Sequence, residues 1–187
     1  MDATLFAAIF PPPAARAVLE QVQADLRRQV AERVTWVVPE RLHVTVFFFG
    51  DERLRGVEEI DGMVRWALDV VGAGAFDLTL DGLGVLRHRV GDGHRSIHLD
   101  GGGCKPLVDL AGRINRSTNR PPHLTLGRTR ARVALPALAV PPVTFRAERI
   151  ALVRSASEGT QRGYRVLREW QLPAGAAPWR GYGMPPS

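Results

Sequence analysis

The stretch PERLHVTVFFFG, residues 39–50, and its partial repeat PPHLTLGR, residues 121–128, decide the fold. Each contains a histidine, an apolar residue, a threonine and a second apolar residue, and each follows a proline closely. Side chains of a strand alternate between its two faces, so each histidine shares a face with the threonine two positions on. Both stretches are therefore predicted to be strands with one core face and one His/Thr face.

Around these two strands the apolar pattern predicts a mixture of helices and further strands. The spacing lacks the regular βαβ order of a doubly wound sheet, which favours an α+β fold with mainly antiparallel strands. No low-complexity linker interrupts residues 1–173, which are predicted to form a single domain. Residues 174–187, rich in Gly, Pro and Ala, are predicted to be a loosely held tail. Helices are predicted near residues 14–31, 57–71 and 106–114, and strands near residues 4–10, 35–38, 43–49, 76–80, 96–99, 123–126, 145–153 and 164–172.

The charge of the chain favours a phosphate-bearing partner. The formal net charge is +6, and Lys105 is the only lysine, so the positive charge is carried almost entirely by arginine. The planar arginine fork matches two phosphate oxygens at once. A second explanation stays open, namely that an Arg-, Ala- and Gly-rich composition reflects a GC-rich genome.

Two further features bear on where the protein works. The apolar run at residues 5–10 is too short for a signal-peptide core or a membrane span, so no membrane association is expected. Cys104 is the only cysteine, which excludes an internal disulfide and suits a reducing compartment. A cytoplasmic location is the expectation.

The two histidines suit the opening of a cyclic phosphodiester by water. That reaction needs one group to take a proton from water and a second group, on the other side of phosphorus, to give a proton to the departing oxygen. Histidine can do either near neutral pH, so His43 and His123 are the candidate catalytic pair. The hydroxyls of Thr45 and Thr125 can donate to the non-bridging phosphate oxygens. The competing interpretation is that both histidines are structural.

The sequence resembles the two-histidine (2H) phosphoesterases, and within them the RNA 2′,3′-cyclic phosphodiesterases first named 2′-5′ RNA ligases. The resemblance covers most of the chain. It is carried by WVVPERLHVTV at residues 36–46, a Gly-rich strand at residues 80–86, PHLTLGR at residues 122–128 and IALVRS at residues 150–155. It implies a bilobal, pseudo-two-fold α+β fold in which two mainly antiparallel sheets flank a central groove, with helices outside.

The resemblance also implies an activity. The expected reaction is metal-independent and cofactor-free hydrolysis of RNA 2′,3′-cyclic phosphate ends to 2′-phosphomonoesters, with a reversible 2′-5′ RNA ligase activity, by a monomer acting on tRNA halves or oligonucleotides. By the same resemblance His43 is the proton donor to the leaving oxygen and His123 is the base that activates water.

Two further residues are predicted to bind substrate. Arg128, which trails the second tetrad, resembles a phosphate contact of the family, but strict alternation places it on the face opposite His123. Phe47 follows the first tetrad where relatives often carry a basic residue. Strand parity places Phe47 and Phe49 on the His43 face, where a ring could stack on a base. A core position for Phe47 is the alternative.

Other functions are compatible with parts of the sequence. His88, His94 and His98 could bind a metal, although their spacing matches no common zinc signature and a solvated basic loop is the alternative. Cys104 could act as a nucleophile, but the sequence identifies no partner for it. The chain could also be a non-catalytic RNA-binding module, or a phosphodiesterase acting on small cyclic nucleotides or an ADP-ribose cyclic phosphate.

Overall fold

A computed structural model describes residues 3–72, 74–87, 94–101, 104–114, 122–158 and 161–174 of the 187-residue chain. Within these ranges it contains ten strands, three α-helices and one 3₁₀ turn. The strands are β1 (Thr4–Ile9), β2 (Thr35–Trp36), β3 (Val44–Asp51), β4 (Phe76–Leu80), β5 (Gly82–Arg87), β6 (Arg95–Asp100), β7 (His123–Thr129), β8 (Val143–Ala147), β9 (Arg149–Glu158) and β10 (Gln161–Gln171). The helices are α1 (Pro13–Gln29), α2 (Val57–Val71) and α3 (Lys105–Ile114), and the 3₁₀ turn is Pro39–Arg41.

Eight of the strands form one antiparallel sheet in the order β10-β9-β1-β3-β7-β6-β5, with β2 added to β7. The two tetrad strands, β3 and β7, are neighbours at its centre, joined through the pair Val44–Leu124. The remaining strands, β4 and β8, form a two-stranded antiparallel ribbon. The α+β class and the antiparallel pairing are confirmed, and both tetrad strands belong to one continuous sheet.

All three helices contribute to a large core on one face of the sheet. Buried residues of α1, α2 and α3, such as Leu19, Ile60 and Leu107, belong to the same apolar cluster as Val44 and Leu124. A smaller apolar cluster, built on Phe6, Ala8, Ala151 and Val153, lies on the opposite face, with Phe10 and Tyr164 packed against it. The sheet therefore has a helix-covered face and a face that we call the groove face.

Local sequence explains the ends of the helices. Proline stands in the first turn of α1, where its missing N–H costs nothing, and Arg27 and Arg28 lie in its last turn, where positive charge is favourable. Helix α2 ends at Gly72, whose φ of +59° is the left-handed conformation that glycine adopts readily.

One predicted strand is two strands. Residues near 145–153 were expected to form a single strand, but β8 and β9 separate at Glu148 and join different sheets. Up to Ala147 the buried positions alternate, as on a ribbon with one covered face, whereas residues 150–153 are buried throughout. The change from alternation to a continuous apolar run marks the passage from the ribbon to the interior of the large sheet.

Within the described residues, no helix is both long and apolar enough to cross a membrane. Apart from Ala174, the predicted tail lies outside those residues.

Candidate active site

A β-bulge reshapes the strand that follows His43. Thr45 pairs with Ala8 across the β1–β3 ladder, and the next pair joins Phe47 to Ala7, so the register passes over Val46. A residue inserted in this way reverses the alternation of side chains beyond it. Thr45 stays on the groove face, but Phe47, Phe48 and Phe49 lie on the faces opposite to those that strict alternation predicts, until a second register shift at Phe49 restores the alternation.

The bulge corrects the prediction for Phe47. Phe47 and Phe49 were expected on the groove face, and that prediction is wrong. Both belong to the large core, and their ring centroids lie 4.7 Å apart. The residue that reaches the groove face is Phe48, which pairs with Phe6 and is 58% exposed.

The strand that follows His123 carries a bulge at the equivalent position. Thr125 pairs with His98, and the next pair joins Gly127 to Ile97, so the register passes over Leu126. In both strands the skipped residue is the third after the histidine. The repeat visible in the tetrads therefore extends to a backbone feature that the sequence does not display.

This second bulge corrects the predicted orientation of Arg128. Strict alternation put Arg128 on the face away from His123, whereas the structure pairs it with Ser96 on the groove face. Gly127 permits the local geometry, because a Cβ there would stand 2.6 Å from Cγ1 of Val34. Five residues after the histidine, one strand thus presents Phe48 to the groove and the other presents Arg128.

His43 lies among three aromatic rings. Its ring centroid is 5.0 Å from that of Phe6, 5.9 Å from that of Phe10 and 5.6 Å from that of Tyr164. Its Nδ1 lies 2.7 Å from the carbonyl oxygen of Arg41. Because a carbonyl can only accept, Nδ1 carries the hydrogen, and Nε2 is the nitrogen that gains or loses a proton.

This enclosure lowers the pKa of His43 from 6.5 to about 4. Burial is the main cause, since it disfavours the charged ring, and the nearby positive charges of Arg128 and His123 act in the same direction. The hydrogen bond to Arg41 opposes them. The fold therefore holds His43 neutral at neutral pH.

His123 has a different neighbour, the ring of His98. The two ring centroids are 5.4 Å apart, and the rings meet edge to face. The ring of His98 sits over Gly84, where a Cβ would stand 2.9 Å from its Cε1 atom. Burial lowers the pKa of His98, and the charge of His123 lowers it further. His43 is thus surrounded by aromatic rings, whereas His123 adjoins the imidazole of His98.

A cavity of about 140 Å³ opens beside His43. It brings together two predicted substrate-binding residues, Thr125 and Arg128, with His43. The other lining residues are Thr35, Trp36, Val37, Val38, Arg41 and Tyr164. Thr45 is half-buried on the same face of the sheet through its pairing with Ala8. His123 and Thr45 are not among the residues that line this cavity; they lie on the same face of the sheet, on the neighbouring strands β7 and β3.

A known family accounts for this arrangement. Residues 10–159 match the model of a family described as the 2′-5′ RNA ligase superfamily. The chain belongs to that superfamily. Its members are two-histidine phosphoesterases, so the predicted family is confirmed. No protein of curated function matches the chain significantly.

Solved structures agree on the fold of this superfamily member. The protein TT0787 of Thermus thermophilus is 25% identical with a TM-score of 0.68, the match covering 92% of this chain and 99% of that one. Escherichia coli LigT, in a crystal structure with 3′-AMP, is 23% identical with a TM-score of 0.69 over the same shares of the two chains. The crystal structure of the same protein with phosphate is 22% identical with a TM-score of 0.68, and the match again covers 92% of this chain and 99% of that one.

Sequence reasoning missed the ring of aromatic residues around His43. Phe6 stands in a run that is apolar throughout, so no alternation reveals its face, and Tyr164 is more than a hundred positions away from His43. Only the sheet order, with β10 and β9 beside β1, brings these residues together.

A missed polar residue supports the second bulge. Gln23 is buried on α1, and its Nε2 donates to the carbonyl oxygens of Leu126 (2.7 Å) and Val37 (2.8 Å). Leu126 is the residue that the register passes over, so the amide ties α1 to the bulge and to the segment before the first tetrad. A sequence signal existed, because Gln23 lies on the apolar face of α1 with Leu19 and Leu26.

The alternative sites gain no support from the described residues. Among these, no group of three or more His, Cys, Asp and Glu side chains could hold a metal, and His88 lies outside them. His94 accepts a hydrogen bond from Nε of Arg130. Cys104 is buried, which raises its pKa and disfavours the reactive thiolate.

Proposed function

We propose that this superfamily member opens 2′,3′-cyclic phosphates at RNA ends without a metal, leaving a 2′-phosphomonoester. The observation that carries the proposal is the convergence of His43, His123, Thr125 and Arg128 at the centre of one sheet face. His43 and His123 are near enough for the charge of one to lower the pKa of the other. Two imidazoles on neighbouring strands of one sheet face are the kind of pair that can act on opposite sides of one phosphorus atom.

In the proposed reaction each histidine moves one proton. His123 removes a proton from water, and the oxygen of that water forms a new bond to phosphorus. The bond from phosphorus to the 3′ oxygen breaks, and its electron pair stays on that oxygen, which takes a proton from Nε2 of His43. A terminal 5′-hydroxyl in place of water would give a 2′-5′ phosphodiester by the same transfers.

Arg128 and the threonine hydroxyls stabilise the charge on the non-bridging oxygens. Arg128 lines the cavity and lies near enough to lower the pKa of His43. A guanidinium can contact two phosphate oxygens at once, and groups fixed before the reaction lose no energy in reorienting during it. Thr125 lines the same cavity, so its hydroxyl is placed to donate.

The low pKa of His43 fits the donor role once the substrate is bound. The entering phosphate brings a negative charge beside the ring, and this charge opposes the effects of burial and of Arg128. The ring then takes up a proton at Nε2 together with the substrate. A donor with an intrinsically low pKa gives that proton readily to the leaving oxygen.

The experiment is an assay on RNA ending in a 2′,3′-cyclic phosphate, run in a strong chelator and scored for 2′ against 3′ phosphate. We expect turnover to survive chelation and the product to carry a 2′-phosphate. A 3′-phosphate product would show that the 2′ oxygen leaves instead of the 3′ oxygen. Loss of activity in the chelator would overturn the metal-independent reaction. Tight binding of the RNA without turnover would favour a non-catalytic binding module.

A further inference from the structure

A second cavity adjoins the proposed catalytic cavity and is lined by positive charge. It has a volume of about 460 Å³ and is formed mainly by Arg33, Thr35, His94, Arg128, Thr129 and Arg130. Three of these are arginines, and no carboxylate side chain is among the described residues that line it. A cavity with this lining favours an anion.

The two cavities are contiguous. Thr35 and Arg128 line both of them, and these two residues are cross-strand partners in the β2–β7 ladder. A strand of RNA whose end lies beside His43 can therefore pass over this pair into the second cavity.

Hydrogen bonds hold the two walls of the second cavity in place. The hydroxyl of Thr129 donates to the carbonyl oxygen of Arg33 (2.8 Å) and accepts from the backbone N–H of Ala131 (3.1 Å). Nη1 of Arg95 donates to the carbonyl oxygens of Arg130 (2.9 Å) and Ala131 (3.2 Å). The segments that carry Arg33 and Arg130 are thus tied to each other and to β6.

The guanidinium of Arg130 is also oriented. Its Nε donates to Nε2 of His94 at 2.9 Å, so that nitrogen of His94 is an acceptor. With Nε engaged, the two terminal nitrogens form the fork that suits a phosphate.

The small size of the catalytic cavity also indicates that a longer substrate needs a second binding site. At about 140 Å³ it is well below the ~300–1,000 Å³ of typical small-molecule sites. It can take the reacting phosphate and part of one sugar, and most of a longer substrate must lie outside it.

We propose that the second cavity binds a backbone phosphate upstream of the cyclic end, so that the enzyme prefers oligonucleotides to mononucleotides. This inference rests on the proposed function of the adjacent site. Arg33 and Arg130 contact the upstream phosphate, and Arg128 lies between it and the reacting phosphate.

The test compares kcat/KM for a short RNA with a 2′,3′-cyclic end and for a mononucleoside 2′,3′-cyclic phosphate, in the unmodified protein, Arg130→Ala and Arg33→Ala. Arg65→Ala is the matched control, because it removes one exposed arginine from α2, where it pairs with Asp61. We expect each cavity variant to lower kcat/KM for the RNA about tenfold more than for the mononucleotide. The slope of log KM against log salt should also become shallower by about 0.7 for each phosphate that a variant no longer binds.

Equal losses on the two substrates, no loss on either, or the same loss in Arg65→Ala would overturn the upstream site. Failure of the proposed function looks different, since the unmodified protein would then turn over neither substrate. In that event the affinity for an RNA ending in a 3′-phosphate, measured by fluorescence anisotropy, decides the upstream site. Weaker binding by Arg130→Ala than by Arg65→Ala supports the site, and equal binding rejects it.

Discussion

The two tetrad segments, which contain His43 and His123, have the same backbone features and differ in their surroundings. Each has a histidine, a threonine two residues later on the same face, and a bulge at the third residue after the histidine. Around His43 the groove face is aromatic, whereas His123 adjoins a second imidazole, that of His98. A repeated scaffold can therefore place two identical side chains symmetrically while their neighbours make them chemically unequal.

This inequality is what an acid–base pair requires. Two equivalent imidazoles would compete for the same proton, whereas different environments separate their protonation. Burial among rings holds His43 neutral, and in the proposed reaction the negative charge of an incoming phosphate lets it take up a proton. Substitutions that alter one of the two tetrad segments at a time test whether the two histidines differ in this way.

The largest effect should come from removing either histidine. We expect His43→Ala and His123→Ala each to lower turnover of cyclic-phosphate RNA by about 10² to 10⁴, because each removes a proton transfer. Steady-state kinetics measure the loss, with thermal unfolding as a check that both variants fold. Near-normal turnover in either variant would remove that histidine from the mechanism.

The second prediction concerns stability in acid. The unfolded chain binds a proton at His43 with a pKa near 6.5 and the folded protein only with a pKa of about 4. The stabilisation is therefore complete above pH 6.5 and is lost as the pH falls toward 4. The loss is at most roughly 3 kcal/mol of unfolding free energy.

Urea unfolding at pH 7 and at pH 4.5 measures this loss. His43→Phe keeps an aromatic ring in the cage but cannot bind a proton, so its stability should fall less on acidification than that of the unmodified protein. An identical fall in the two proteins would show that His43 is not held neutral by the fold.

A smaller effect should follow from opening the aromatic surroundings of His43. Tyr164→Ala admits water to the ring, so the pKa of His43 should rise from about 4 toward 6.5. NMR titration of the His43 ring measures this pKa directly. Trp66→Ala removes an exposed aromatic ring from α2 and serves as the control. A pKa that does not move in Tyr164→Ala would assign the shift to other neighbours.

The smallest effect tests the bulge of the second strand. Gln23→Met keeps the length of the side chain but removes both donors to Val37 and Leu126. We expect a loss of about 1 kcal/mol of unfolding free energy, partly because the Leu126 carbonyl still accepts from the backbone N–H of Val37. Gln21→Met, on the exposed side of α1, is the control. Equal stability of Gln23→Met and the unmodified protein would show that the bulge does not need this amide.

The sequence predicted the elements that local periodicity encodes. The helix over residues 57–71 has the predicted bounds, and strands form at both tetrads, with β7 beginning at His123 and β3 at Val44, one residue after His43. These features depend on the spacing of apolar residues within a few positions of each other, and this spacing can be read from the sequence alone.

The sequence did not predict features that arise between strands. Nothing local marks Val46 or Leu126 as bulged, and the single extra residue was enough to exchange the faces of Phe47 and Phe48 and to turn Arg128 inward. The pKa of His43 depends on Phe6 and Tyr164, which only the strand order brings to it.

The most direct test of opposed roles uses a substrate in which sulfur replaces the 3′ bridging oxygen of the cyclic phosphate. A thiolate leaves without being protonated, since a thiol pKa of about 8.5 lies far below that of an alcohol. The measurement is the turnover of His43→Ala and His123→Ala on the sulfur and oxygen substrates. We predict that His43→Ala recovers most of its activity on sulfur while His123→Ala stays impaired. Recovery by His123→Ala instead, or no recovery by His43→Ala, would contradict the assignment.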